Sequence, residues 1–550
     1  MVFWIFKLLL LLCVLHSPIF SQIVFEPLHR DVYNFLSRLS QKGIIEYNDL
    51  ITPLSRKYIA QKLNELSLKT TVLTPLEKKE LAFYKKDFRF ELDFINDVNF
   101  VNEAKHSYFG KDIANRYRLF SYRDNFFSIN LSPILGYETG DNDGIRNTHR
   151  WNGVSLYGYL GKHFGYSFDF RDNREQGQNI DTSKAFTPVT GIDAQFFPEN
   201  NAIEYSEVHT TMTGNWKWGS ITVGKDFINW GYGKNGKVVL SSKAPSFAYI
   251  RLDAQLASWL KFNYFHAWLQ SDVIDSTRIF PTLIEGQNSI QFRPKFLASH
   301  TIIITPKKGL DISLGESVIY DNQLEFVYLI PIMFYRLADH YLSSRRNDAG
   351  SNAQLFFAIN SRNHIRKTNF YGEIFIDDLS IPNIFNPDRQ VNHFGYTLGA
   401  STTDFPLNNL TLSSEYTRIN PFVYRHFIPT QLYTSSSYLM GHWMGHNSDQ
   451  WYGELNYRFL RGLQATAWAR HIRKGEDGEV ADQYTFPHNP FLFGLNTKFT
   501  DWGITVKYEI THELFLRGKF QRLRVSEAQA NGGFIETSRN ELFLSLFYGL

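Results

Sequence analysis

Phe370-Tyr371-Gly372-Glu373-Ile374-Phe375-Ile376-Asp377 is the stretch that decides the fold. Even positions are Phe, Gly, Ile and Ile; odd positions are Tyr, Glu, Phe and Asp. Side chains alternate sides along a strand, so a period of two gives one apolar face and one mixed face. The same pattern recurs along the chain. Phe127, Ile129 and Leu131 alternate with Ser128, Asn130 and Ser132. Tyr166, Phe168 and Phe170 alternate with Ser167, Asp169 and Arg171, and Ile504, Val506, Tyr508 and Ile510 with Thr505, Lys507 and Glu509. Lipid outside and a polar lumen inside require this arrangement.

Composition agrees. Aromatics make up 16% of the 550 residues and hydrophobics 43%, yet no apolar run after residue 20 is long enough to cross a bilayer as a helix. In a membrane barrel the outward and lumen faces average to such a composition. The net charge of +3 gives no strong attraction to polyanions, so nucleic acid is not an expected partner. Lys7 followed by the apolar run Leu8 to Leu15, with Ser21 before Gln22, predicts an export leader over residues 1–21. The single cysteine, Cys13, lies inside it, so the exported chain is expected to have no disulfide and no Cys-bound metal.

Connections fall into two classes. Short ones are Gly161 to His163, Asn215 to Gly219, Ala257 to Leu260, Pro306 to Gly309, Ser361 to Lys367, Pro406 to Asn409, Leu460 to Gly462 and Thr511 to Glu513. Long ones lie between them, over 172–203, 226–249, 271–289, 321–350, 378–392, 418–450, 474–500 and 525–538. Short turns alternating with long loops mark an outer-membrane barrel. Adding a first strand near 126–137 and a last near 540–550 predicts about 18 antiparallel strands. Residues 89–122 and Phe491 to Thr500 leave 16 and 20 open. In the last strand every even position from Leu542 to Leu550 is Leu or Tyr, a complete lipid face. Outer-membrane lipids, and the barrel insertion machinery during biogenesis, are therefore expected partners.

Residues 22–88 read differently. Val32, Phe35, Leu36 and Leu39 share one helical face. Thr52-Pro53 is an expected N-cap with Pro at the first helical position, followed by Ile59, Leu63 and Leu66. Thr74-Pro75-Leu76-Glu77 predicts a capping box ahead of Leu81, Tyr84 and Phe88. The expected organisation is a leader (1–21), a small helical bundle at the periplasmic end (22–88) and a barrel (89–550).

Gly231-Tyr232-Gly233-Lys234-Asn235-Gly236 matches G-x-G-x-x-G, but Lys237 to Ser242 after it is strand-like, so the helix a dinucleotide site needs is missing. His442 and His446 are four apart, but the glycines around them predict a loop, not a metal-binding helix. No G-x-S-x-G and no H-E-x-x-H occurs. Glu373 and Asp377 sit near a strand end without a recognisable glycosidase pairing. No catalytic residue, cofactor or metal is expected.

Aromatic and planar polar residues instead collect in or beside the long connections: Asp226, Trp230, Tyr232, Asp321, Asn322, Tyr335, Arg336, Tyr416, Arg418, His426, His442 and Trp443. An apolar ring face stacks on a sugar and planar polar groups bind its hydroxyls, so these are candidate polysaccharide contacts. Equally, they could fold the loops into the lumen.

Asp226 to Gly233 with Leu240 to Pro245 resembles the central motif of the Wzi family of capsule assembly proteins. Tyr320-Asp321-Asn322 through Pro331, Tyr371-Gly372-Glu373 with Ile376-Asp377-Asp378, and Gly441-His442 to Gly445-His446 are similar to later blocks of that family. The resemblance implies an outer-membrane barrel of 18 strands in a Gram-negative cell, a helical bundle at the periplasmic end, loops occluding the lumen, and lectin-like anchoring of capsular or exported polysaccharide at the cell surface. An outer-membrane channel or transporter for saccharides is the alternative.

Overall fold

The computed structural model describes residues 23–96, 105–112, 114–124, 126–339, 351–379 and 392–549. The expected leader lies outside them. Four helices open the described chain: α1 (Val32–Gln41), α2 (Arg56–Ser67), α3 (Pro75–Asp87) and α4 (Arg89–Ile95). Their apolar stripes meet in one core containing Phe35, Leu39, Ile59, Leu63, Leu81 and Phe88. The capping box of α3 is present: Thr74 Oγ1 accepts from the Glu77 N–H, and the Glu77 carboxylate accepts from the Thr74 N–H. Thr52 is not a cap. Ser55 caps α2, and Ile51–Thr52 forms a two-residue strand paired with Asn229–Trp230. A tertiary partner has overridden the local signal there. The helical segment also runs on through Ile95, past the expected boundary at 88.

The barrel closes with 18 antiparallel strands. They are β1 (Phe127–Asn142), β2 (Ile145–Leu160), β3 (Phe164–Gln176), β4 (Ala202–Trp216), β5 (Gly219–Asp226) and β6 (Phe247–Ala257). Then come β7 (Leu260–Leu269), β8 (Lys295–Lys307), β9 (Leu310–Asp321), β10 (Asn352–Arg362), β11 (Thr368–Leu379) and β12 (Asn392–Thr403). The last six are β13 (Leu410–Ile419), β14 (Ser448–Leu460), β15 (Leu463–Lys474), β16 (Thr497–Thr511), β17 (Leu514–Ala528) and β18 (Phe534–Tyr548). Each pairs with the next, and β18 returns to β1 with Leu544 opposite Thr139. Lys105–Lys111 and Tyr117–Arg123 pair as a hairpin on the edge of β1, with Phe120 opposite Leu131, but add no member to the ring. Phe491 to Asn496 is loop and β16 begins at Thr497.

Parity is as expected. Leu542, Leu544 and Leu546 face out and are exposed, whereas Glu541 and Ser545 face in and are buried. On β11, Tyr371, Glu373 and Phe375 are buried in the lumen. Phe126, Phe164, Trp218, Trp259, Phe405 and Phe459 stand exposed beside the short turns. They form an aromatic girdle at that rim, the usual marker of a membrane–water boundary.

The helices sit in the short-turn mouth and are tied to the turns by buried ion pairs and a histidine–aspartate hydrogen bond. Arg38 bridges Glu77 and Asp404, both at 2.6 Å. Arg458 holds Glu80 at 3.0 Å, His512 meets Asp87 at 2.7 Å, and Arg30 meets Glu513. Removing one partner of such a pair strands the other without water, which is why these contacts fix the bundle's position.

Candidate functional site

The long loops close the barrel from the opposite end. The loop after β5, residues 227–246, folds into the lumen until Trp230 pairs with Ile51 of the helical segment. Trp230 is buried; its indole N–H donates to Thr301 Oγ1 at 3.1 Å and its ring packs edge-on against Phe356. The loop after β13, residues 420–447, lies over it. The Tyr424 and Tyr433 hydroxyls donate to the carbonyls of Val238 and Val239 at 2.6 and 2.9 Å. One continuous apolar core results, from Leu50 through Trp230, Tyr424 and Trp443 to Ile472 on the wall.

The G-x-G-x-x-G stretch does bind anions, but they are the protein's own. The Tyr232 N–H donates to Glu373 at 2.8 Å, and the Lys234 and Asn235 N–H groups donate to Glu415 at 2.7 and 3.3 Å. Successive backbone N–H groups form a concavity suited to an anion, and wall carboxylates fill it. Asp377 accepts from the Tyr424 N–H at 2.7 Å in the same manner. These lumen carboxylates therefore position loops.

The expected contact residues separate into five places. Trp230, Tyr232, His442 and Trp443 belong to the lumen core. His442 is fully buried and its Nδ1 accepts from the Met444 N–H; burial, with Arg470 nearby, pushes it down to about 3. His446 instead accepts from the Phe422 N–H, so the two histidines do not converge on a common point. Trp443 donates to the Asn235 carbonyl at 2.6 Å and lies under Arg470. Trp230, His442 and Trp443 are buried in this core, and Tyr232 is half-buried against it.

Asp226 lines an internal cavity of about 470 Å³ between the helical segment and the β2–β4 wall, near the His209–Asp169 pair. Asp321 accepts from Thr430 at the rim, and Asn322 beside it is exposed.

Tyr416 and Arg418 point out of the barrel, a correction to the expectation. On β13 the lumen side is odd-numbered (Glu415 and Thr417 are buried), so the even residues face the membrane side. Tyr416 packs against Trp451 at 4.7 Å and Arg418 stacks on Phe491 at 3.7 Å. Tyr335 is likewise outside the lumen, buried against the outer wall, with Arg336 exposed beside it.

His426 remains at the outer mouth, half-buried, its ring beside Phe427 at 4.5 Å. It identifies a group that sequence reasoning missed. Phe427, Tyr484 and Phe486 are exposed by 55%, 56% and 54% on the two loops that follow β13 and β15. Phe427 and Tyr484 meet at 5.9 Å, and Phe486 lies 4.4 Å from His488, which neighbours His393. Open ring faces beside imidazoles can stack on a pyranose and bind its hydroxyls. The available signal was aromatic residues in the long 474–500 connection.

A model of the capsule assembly protein Wzi family matches residues 150–534. No curated protein matches the chain. Among solved structures, Escherichia coli Wzi, an outer membrane protein involved in group 1 capsule assembly and a carbohydrate-binding β-barrel, is 12% identical over 96% of this chain and 100% of that one, with a TM-score of 0.55. Acinetobacter baumannii OccAB2 is 12% identical over 78% and 99% with a TM-score of 0.43, and Pseudomonas aeruginosa OprD 12% over 77% and 94% with 0.42.

Proposed function

The chain belongs to the Wzi family of capsule assembly proteins, an outer-membrane β-barrel family, and from that premise we propose that it binds exported polysaccharide at its outer mouth and holds it at the cell surface without chemical turnover. The observation that carries this reading is the set of exposed rings Phe427, Tyr484 and Phe486 with His426 and His488 on the long-loop side of a barrel whose lumen is filled. Asn322 contributes polar contacts at the same rim.

Two further points support it. Glu373, Glu415 and Asp377 are occupied by loop N–H groups, which favours binding over hydrolysis. A helical segment in one mouth and two loops in the lumen favour an anchor over a saccharide channel. On this reading residues 1–21 are a leader removed on export, the helices stop the periplasmic mouth, and the long loops face the cell exterior.

Deleting the gene from a capsulated strain is expected to shift polysaccharide from cells to medium. Re-expression should restore retention, and a Phe427→Ala/Tyr484→Ala variant present at normal level in the outer membrane should not. Unchanged cell-bound polysaccharide in the deletion strain would overturn the proposal.

A further inference from the structure

The connection after β9 does not fold into the lumen. On β7, β8 and β9 the even-numbered side chains face away from it, since Thr301 and Ile319 on the odd side belong to the lumen packing around Trp230. Near the short turns these even residues are bare: Ile302, Ile304 and Leu314 are exposed. Nearer the long-loop rim the same outward face carries His266, His300, Glu316 and Tyr320. Bare, a histidine–glutamate pair there would meet the hydrocarbon layer, where unsatisfied polar groups are costly.

The segment 322–339 covers them from outside. Tyr328, Tyr335 and Ala338 pack on Phe296, Ala298, Val318 and Tyr320 in a core separate from the lumen. The Tyr335 N–H donates to Glu316 at 2.8 Å, and the other partner of Glu316 is His300 at 3.2 Å. His266 bonds the Tyr320 hydroxyl at 2.8 Å, and Tyr264 donates to the Tyr328 carbonyl at 3.0 Å. The segment is thus docked by both apolar and polar contacts.

Its other side has no protein partner among the described residues. Phe326 is 73% exposed, Ile332 83% and Leu337 64%, with Leu324 and Phe334 also exposed. Contiguous apolar surface of this kind marks an interaction site. It adjoins the lipid-facing band formed by Leu314 and by Phe357 on β10. We propose that residues 324–338 form an external arm immersed in the acyl chains of the outer leaflet, shielding a polar patch on the barrel wall and adding to the lipid-contacting surface. The occupant is lipid: the arm lies on the same outward face as the band that lipid already covers. Arg336, exposed on the arm, is suited to reach the phosphate level, as long basic side chains do at interfaces. The arm's place in the membrane does not depend on what the mouth binds.

The sequence contains one cysteine, Cys13, so in a Cys13→Ser background single labels can be placed cleanly. Ile332→Cys and Leu337→Cys, labelled with an environment-sensitive fluorophore, are reconstituted in vesicles whose phospholipids carry bromine on the acyl chains. Leu544→Cys on the barrel wall is the lipid reference and Lys308→Cys in a short turn the aqueous one. Quenching of 332 and 337 by brominated chains to within about two-fold of the 544 label, with poor quenching by iodide, is the expected result. Iodide quenching like that of the 308 label would overturn it. So would protection that disappears on dilution into excess lipid with cross-linking between 332 labels, which would assign the face to a second copy of the chain.

Discussion

At the scale of single residues, Gly231 and Trp230 show what the lumen demands. Gly231 sits at φ +131°, and a Cβ there would come within 2.5 Å of a Glu373 carboxylate oxygen. Gly231→Ala is therefore expected to lower stability by about 1–3 kcal/mol, since a backbone conformation reserved for glycine and a clash act together. Trp230→Ala removes the largest fully buried side chain of the core and should cost about 3–5 kcal/mol. Both are read as a fall in thermal midpoint in detergent and as protease cleavage within 227–246, and a Trp230→Ala variant of unchanged stability would contradict the packing. The sequence marked these residues as special but not their role. Carbohydrate platforms and lumen packing call for the same aromatic and planar polar chemistry, and only the loop's path decides between them. For Tyr416 and Arg418 a local signal existed: Leu410 and Leu412 fix the outward parity of β13, and counting by twos places 416 and 418 on the membrane side.

At the scale of elements, the helical segment is held by charge. Burial alone would raise the Asp404 carboxyl, but Arg38, the Asn409 N–H and Lys42 outweigh it and hold it at about 2. Glu513 is held at about 2 in the same way by His512, Arg30 and Arg118. Depressed carboxylates stabilise above their unfolded values, 3.8 for Asp and 4.5 for Glu, and that stability is lost as pH falls toward about 2. Glu26 runs the other way. Burial pushes it up to about 7 against Arg56 and Arg30, so its contribution is full below 4.5 and is lost as pH rises through about 7. Docking of the helices is thus expected to be tightest near about pH 4.5, weakening as pH falls toward about 2 and, through Glu26, as it rises to about 7. Hydrogen–deuterium exchange of α1 to α4 across pH 2.5–8, corrected for the intrinsic pH dependence of exchange, checks this; flat protection over that range would contradict it. Arg38→Ala combined with Lys42→Ala should loosen the same segment by about 3–5 kcal/mol, because it leaves Glu77 and Asp404 buried without either of these cations. Strand parity, short turns and the α3 capping box were legible because each depends on neighbouring residues. The role of Thr52 was not, because its strand partner lies near Trp230, far along the chain.

At the scale of the molecule, the strand count was readable because an all-antiparallel barrel closes only with an even number and every short turn advertises two strands. Which way each long loop folds was not. Residues 227–246 go in, 322–339 go out, and both carry several aromatics. With helices in one mouth and loops in the lumen, the intact protein in a planar bilayer is expected to pass almost no current; a steady porin-like conductance would contradict the filled lumen. The central claim is that the exposed rings of the outer mouth bind polysaccharide. The direct measurement is the affinity of refolded protein for purified capsular polysaccharide from its own strain, compared among wild type, Phe427→Ala/Tyr484→Ala and the lipid-face control Leu544→Ala. The account predicts at least a ten-fold loss for the double variant with an unchanged thermal midpoint, and no loss for the control. Wild-type affinity in the double variant, or a loss that appears only together with a lowered midpoint, would contradict it.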